Sequence, residues 1–176
     1  GNLETATTGD VTLAVLGACT LGDLKTLTSA GGATISCGST TAVGYTRTAA
    51  GAVAVTGAWS ATGAVSVTSS GSTITLNNDI TTGGSAKDLT INANGALSFA
   101  GSADALTASG VLTVTASGAT SGAATLTSTG NMAMTLTDKW TATSGNLVIV
   151  SGGTLNLNGK LETATAGDVT LTITGA

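Results

Sequence analysis

The feature that most restricts this chain is how it is punctuated. Short runs in which Val, Leu, Ile or Ala alternates with Thr or Ser follow one another almost without a break, separated by Gly, Asn or an acid. Val111-Leu112-Thr113-Val114-Thr115 and Val169-Thr170-Leu171-Thr172-Ile173 show the pattern. A period of two puts the aliphatic residues on one face of a strand, and no stretch sustains the helical period. Strands are expected at 11–16, 24–28, 33–37, 52–56, 64–68 and 73–76. They continue at 89–91, 96–99, 111–115, 124–127, 132–137, 147–150, 154–157 and 169–173. The chain contains no Pro, as expected where every strand must donate to a hydrogen-bond ladder.

A sandwich, an up-and-down barrel and a parallel β-solenoid can all be built from such strands. Hairpin folds favour Asn-Gly or Asp-Gly turns, with Pro and aromatic plugs in the core. Here only Asn94-Gly95 and Asn158-Gly159 qualify as hairpin turns, and the aromatic residues are Tyr45, Trp59, Phe99 and Trp140. A narrow core filled by Val, Leu, Ile and Ala without rings is therefore expected. Stepping between strands that follow Gly or an acid gives about 20 residues per step, a solenoid repeat length. The expected fold is all-β, a parallel β-helix (β-solenoid) of about 20 residues per coil.

The two ends of the sequence match. Residues 159–176, GKLETATAGDVTLTITGA, repeat residues 1–18, GNLETATTGDVTLAVLGA, at an offset of 158 residues. The expected organisation is a single solenoid segment over 1–176. Residues 1–158 then form one large repeat of about eight coils, and 159–176 start the next. Top and bottom would present nearly the same surface, so equivalent ends are expected to meet, within one chain or head to tail between chains.

Composition narrows the function. Charged residues make up 8% of the 176 residues and hydrophobic ones 41%, with 26 Gly. Gly, Ser and Thr in such numbers can mean disorder, but aliphatic residues recur here at every strand-length interval. The net charge is −4, and Lys25, Arg47, Lys87, Lys139 and Lys160 are scattered singly, so nucleic acid is not an expected partner. No apolar run reaches the length of a transmembrane helix, and membrane insertion is not expected. No leader-like segment precedes Gly1, so any signal is expected to have been cut away or to lie outside. So low a charge suits a surface exposed outside the cell.

Several residues invite a chemical reading. Cys19 and Cys37 are 18 residues apart, close to one coil, which places them on neighbouring coils. A disulfide there would stabilise by about 3 kcal/mol in an exported protein; two buried thiols acting as small apolar residues are the other reading. With no His and no second Cys pair, a metal site and a cofactor are not expected. Asp10, Asp23, Asp88 and Asp168 each precede the first aliphatic of a strand, where a carboxylate can bond nearby backbone N–H groups as an Asx-type corner. Calcium would need a Gly-Gly-x-Gly-x-Asp pattern, which is missing. Glu4 and Glu162 fall at corresponding positions of the repeat, which favours a positional role over a catalytic pair.

Thr-x-Thr pairs recur at Thr5/Thr7, Thr26/Thr28, Thr46/Thr48, Thr113/Thr115, Thr125/Thr127, Thr135/Thr137 and Thr163/Thr165. Stacked in register they would resemble the ice-binding arrays of antifreeze β-solenoids. Against this, one strand burying Leu27 and the next burying Arg47 in the same register is not expected. Trp59, Trp140 and Tyr45 are either exposed contact points or single large residues at corners.

The runs GNLVIVSGGTLNLNGKLETATAGDVTLTITGA and KDLTINANGALSFAG resemble the β-helix repeats of filamentous haemagglutinin-type and autotransporter-type bacterial surface proteins. The resemblance rests on a degenerate G-[DN]-L/V-x-L/I-x-x-G pattern covering most of the chain. It implies a right-handed parallel β-helix in a secreted bacterial adhesin, filament or stalk on the cell surface, with no enzymatic activity and no catalytic position. The function expected is that of a structural segment stacking end to end through its coils, in contact with further copies and with a host surface or carbohydrate. The alternative is a ligand-binding solenoid carrying an ice-binding or carbohydrate-binding surface.

Overall fold

A computed structural model describes residues 2–5, 7–22, 26–101, 103–164 and 167–175. The described residues contain strands, turns and no helix. Every strand pairing among them is parallel. The chain is a parallel β-solenoid of about 8 turns with about 21 residues per coil.

Three ladders form its sides. Face A stacks Asn2–Glu4, Thr26–Ser29, Tyr45–Ala49, Val65–Ser69, Leu89–Ala93, Leu112–Ala116 and the first halves of Met132–Ala142 and Leu155–Thr163. Face B stacks the first halves of Val11–Leu21, Ala33–Ala42 and Val53–Ala61, then Ile74–Leu76, Leu97–Phe99 and Ala119–Ser121. The second halves of Met132–Ala142 and Leu155–Thr163 complete it. Face C takes the second halves of the three long early strands, then Ile80–Thr82, Ala103–Ala108, Ala123–Ser128, Leu147–Ser151 and Val169–Ile173. Of the strand expected at 24–28, only the part from Thr26 lies within the described residues.

Alternation fills the interior with one row per inward position. On face A the row runs Leu3, Leu27, Arg47, Val67, Ile91, Val114, Met134, Leu157. On face C it runs Cys19, Thr40, Trp59, Ile80, Leu106, Leu126, Ile149, Leu171. Each large aliphatic removed from water in these rows stabilises by roughly 1.5–3 kcal/mol.

The ring-free core that composition suggests is not what forms. Tyr45, Trp59, Phe99 and Trp140 are all buried. Tyr45 meets Trp59 edge-on with ring centroids 5.0 Å apart, and Phe99 meets Trp140 at 5.1 Å. Room comes from small neighbours: Trp140 stacks on Ala119 in the face B ladder. Its indole N–H donates to Ser121 Oγ at 3.0 Å. Two ring pairs fill the width that aliphatic side chains would leave open.

Corners need backbone that most residues resist. At the B–C corner Gly38 lies over Gly17 and under Gly57, where the long strands bend with a shift of register. Gly57 has φ +89°, and a Cβ there would strike the Cys37 carbonyl oxygen, so only Gly fits without strain. Asn94-Gly95 and Asn158-Gly159, the hairpin candidates, are instead corners leading from face A to face B. Inward Ser residues close other corners: Ser29 Oγ donates to Gly32 O at 2.8 Å, Ser69 Oγ to Gly51 O at 2.8 Å and Ser128 Oγ to Gly130 O at 2.9 Å.

Candidate functional site

Of the expected corner acids, Asp10 and Asp88 bond backbone N–H groups, but one coil away and not in their own turn. Asp10 Oδ1 accepts from Gly32 N at 2.6 Å and Asp88 Oδ1 from Val111 N at 2.8 Å. Asp79 does the same for Ala105 N at 2.8 Å, and Asn131 for Thr154 N at 3.0 Å. Asn146 Oδ1 accepts from the N–H of Asp168 at 2.9 Å. These side chains stitch successive coils where the ladder bends and loses its regular partners. Asp79, Asn131 and Asn146 were not singled out from the sequence, although each precedes a strand like its counterparts. Asp23 lies outside the described residues.

Cys19 and Cys37 form a disulfide, with Cα atoms 5.9 Å apart. They are not ladder partners: Cys19 pairs with Thr40, and Cys37 with Val15. The bond crosses the B–C corner from the first coil to the second.

The charged residues are spread over several coils. Glu162 sits between Lys139 Nζ at 2.6 Å and Lys160 Nζ at 3.6 Å. The hydrogen bond from Lys139 holds its carboxyl below the usual range. Its repeat counterpart Glu4 is on face A, whereas Glu162 is on face B. Asp79 and Asp104 line a cleft of about 210 Å³ with Ala105, Ala123, Ala124 and Thr125, with no Lys or Arg in its wall. Burial pushes the Asp104 carboxyl up against the opposing hydrogen bond from Gly101 N–H, and the charge of Asp79 adds to the rise. Arg47 is wholly inside the core. Among the described residues no group of three or more metal-ligating side chains converges.

The register argument against a Thr array does not hold. Leu27 and Arg47 are direct ladder partners, and both are fully buried. Thr26/Thr28 therefore stack on Thr46/Thr48, then on Ser66/Thr68, Thr90/Asn92 and Thr113/Thr115, with no shift of register. The outward side of face A thus carries two ranks of short polar side chains over five successive coils. Not every Thr-x-Thr pair joins them. Asn2 and Glu4, not Thr5 and Thr7, align with Thr26 and Thr28. Thr125/Thr127 belongs to face C, and Thr165 lies outside the described residues. The buried aromatics offer no ring to a ligand on any face.

Exposure of inward residues differs between the two terminal coils, and in the first Val11, Cys19 and Leu21 stay buried. In the last coil Val169, Leu171 and Ile173 are 38%, 47% and 53% exposed, whereas their counterparts one coil below, Leu147, Ile149 and Ser151, have no exposure. In the first coil Leu3 is 42% exposed over the fully buried Leu27. No protein-family model, no curated protein and no solved structure matches the chain.

Proposed function

We propose that this chain is a structural segment of an extracellular filament or adhesin stalk, extended end to end through its coils and without enzymatic activity. The observation that carries this reading is the exposed row Val169, Leu171 and Ile173 in the last coil, with Leu3 in the first, at positions that are buried in neighbouring coils. An open coil presents apolar side chains together with a row of backbone N–H and C=O groups, which another parallel coil satisfies. A head-to-tail contact of this kind does not close on itself and so produces a fibre. The resemblance to filamentous haemagglutinin-type and autotransporter-type repeats supports a bacterial surface setting, and the disulfide suits an oxidising compartment.

Sedimentation velocity over a concentration series tests the reading. The chain is expected to associate into elongated particles, and Leu171→Lys with Ile173→Lys to abolish this by placing charges over the core. A chain that stays monomeric throughout would overturn it.

The two polar ranks on face A favour a second reading, an ice-binding surface. Neighbouring side chains stand at about 4.8 Å between coils and roughly 7 Å along a strand, a regular grid of short polar groups, hydroxyls except at Asn92. Thermal hysteresis that disappears in Thr48→Tyr with Thr68→Tyr would support it; no hysteresis in the unsubstituted chain would dismiss it.

A further inference from the structure

Every buried side-chain polar atom that lacks a hydrogen-bond partner among the described residues belongs to one small region. These atoms are Thr40 Oγ1, Tyr45 Oη, Arg47 Nε and Nη2, and Trp59 Nε1. Their placement is shared. Thr40 and Trp59 are ladder partners on face C, and Trp59 touches the Tyr45 ring. Arg47 follows two residues after Tyr45 on the same inward side of face A.

All five atoms can donate, and the Arg and Trp nitrogens can only donate. The Arg47 guanidinium gives one hydrogen bond, from Nη1 to Ala54 O at 3.1 Å. The edge left over, Nε and Nη2, is the fork that grips an anion with two parallel bonds. Among the described residues no carboxylate pairs with its charge either. The buried acid Asp104 lies two coils away on face C and bonds Gly101 N–H. Tyr45 does not serve as counter-ion, because burial raises its hydroxyl to about 12 against the pull of Arg47. Burial lowers Arg47 to about 10, with Tyr45 opposing, so it remains a cation at neutral pH. A lone charge in an apolar interior is strongly unfavourable. Water satisfies a donor but leaves that charge in place.

We propose that the solenoid core binds a small monovalent anion of the halide class at the Nε/Nη2 edge of Arg47, inside the third coil. Leu27 and Val67 flank Arg47 in the ladder, and Ile35 and Val55 are buried ladder partners on face B, where Nη1 reaches Ala54 O, all without exposure. Such walls select an ion that sheds water easily, chloride or bromide over fluoride, sulfate or phosphate. The site closes only as the coils stack, so occupancy couples to folding.

The test compares unfolding of the whole chain in sodium bromide, chloride and fluoride at matched ionic strength, beside Arg47→Met, which keeps the bulk and removes the charge. Above the dissociation constant, the folded-to-unfolded ratio of the unsubstituted chain should rise about tenfold for each tenfold rise in bromide or chloride. Arg47→Met should respond to all three salts alike. A crystal grown in bromide should show an anomalous peak within hydrogen-bonding distance of Nε and Nη2. The proposal fails if both chains respond identically or if water alone occupies that position. Should Arg47→Met not fold, the bromide crystal decides.

Discussion

At the scale of single residues, the fold depends on a few positions that tolerate nothing else. Gly57→Ala forces a Cβ against the Cys37 carbonyl oxygen at a positive φ, and a loss of about 1–3 kcal/mol in denaturant unfolding is expected. Trp140→Ala empties the space shared with Phe99 and should cost about 3–5 kcal/mol. Asp104 gives a pH signature. Burial raises its pKa, so the folded chain holds this proton more tightly than the unfolded one. Its contribution therefore favours folding as pH falls through the raised value and diminishes as pH rises above the ordinary carboxylate range. In Asp104→Asn that dependence should vanish from stability measured across acidic pH, with neutral-pH stability unchanged or higher; a dependence that persists would place its origin elsewhere. Arg47 explains why residue-level reading falls short. A charged residue at an alternating position looks like a register break, and only the three-dimensional interior shows it buried against Leu27 and Val67.

At the scale of elements, the strands rich in Val, Leu and Ile were legible because alternation of large and small residues is unambiguous. Ala103–Ala108, Ala119–Ser121 and Ile80–Thr82 were not, since Ala, Ser and Thr strands differ little in pattern from loops. Part of face C was hidden for a related reason: in Val11–Leu21, Ala33–Ala42 and Val53–Ala61 the strand continues through a glycine that reads as a stop. The inter-coil acceptors were visible only as residue types, because their bonds depend on the coil above. Asn131→Ala removes the acceptor for Thr154 N–H and should cost about 1 kcal/mol. Reducing the Cys19–Cys37 bond should cost about 3 kcal/mol. Hydrogen exchange should rise in the first two coils and stay unchanged in the last.

At the scale of the whole molecule, the ladders reveal what the sequence repeat means in space. Leu3 stands on face A of the first coil, whereas its repeat counterpart Leu161 stacks over Trp140 on face B of the last. Val11 is likewise on face B and Val169 on face C. A step of 158 residues thus advances the chain by seven coils and one face. Successive copies of the repeat, if wound without a break, would present each surface rotated by about a third of a turn, a consequence of the three-sided coil. Linear counting found the coil length closely and could not find this rotation, because it does not know how many faces a coil has. The last coil exposes the aliphatic row Val169, Leu171 and Ile173, whereas the first exposes Leu3 and keeps Val11, Cys19 and Leu21 buried. The most direct test of end-to-end stacking is small-angle X-ray scattering of the chain across a concentration series. Stacking predicts a constant cross-section and a maximum dimension growing in steps of about 38 Å, the rise of eight coils. A particle that stays about 38 Å long at every concentration, or one that thickens as it grows, would contradict it.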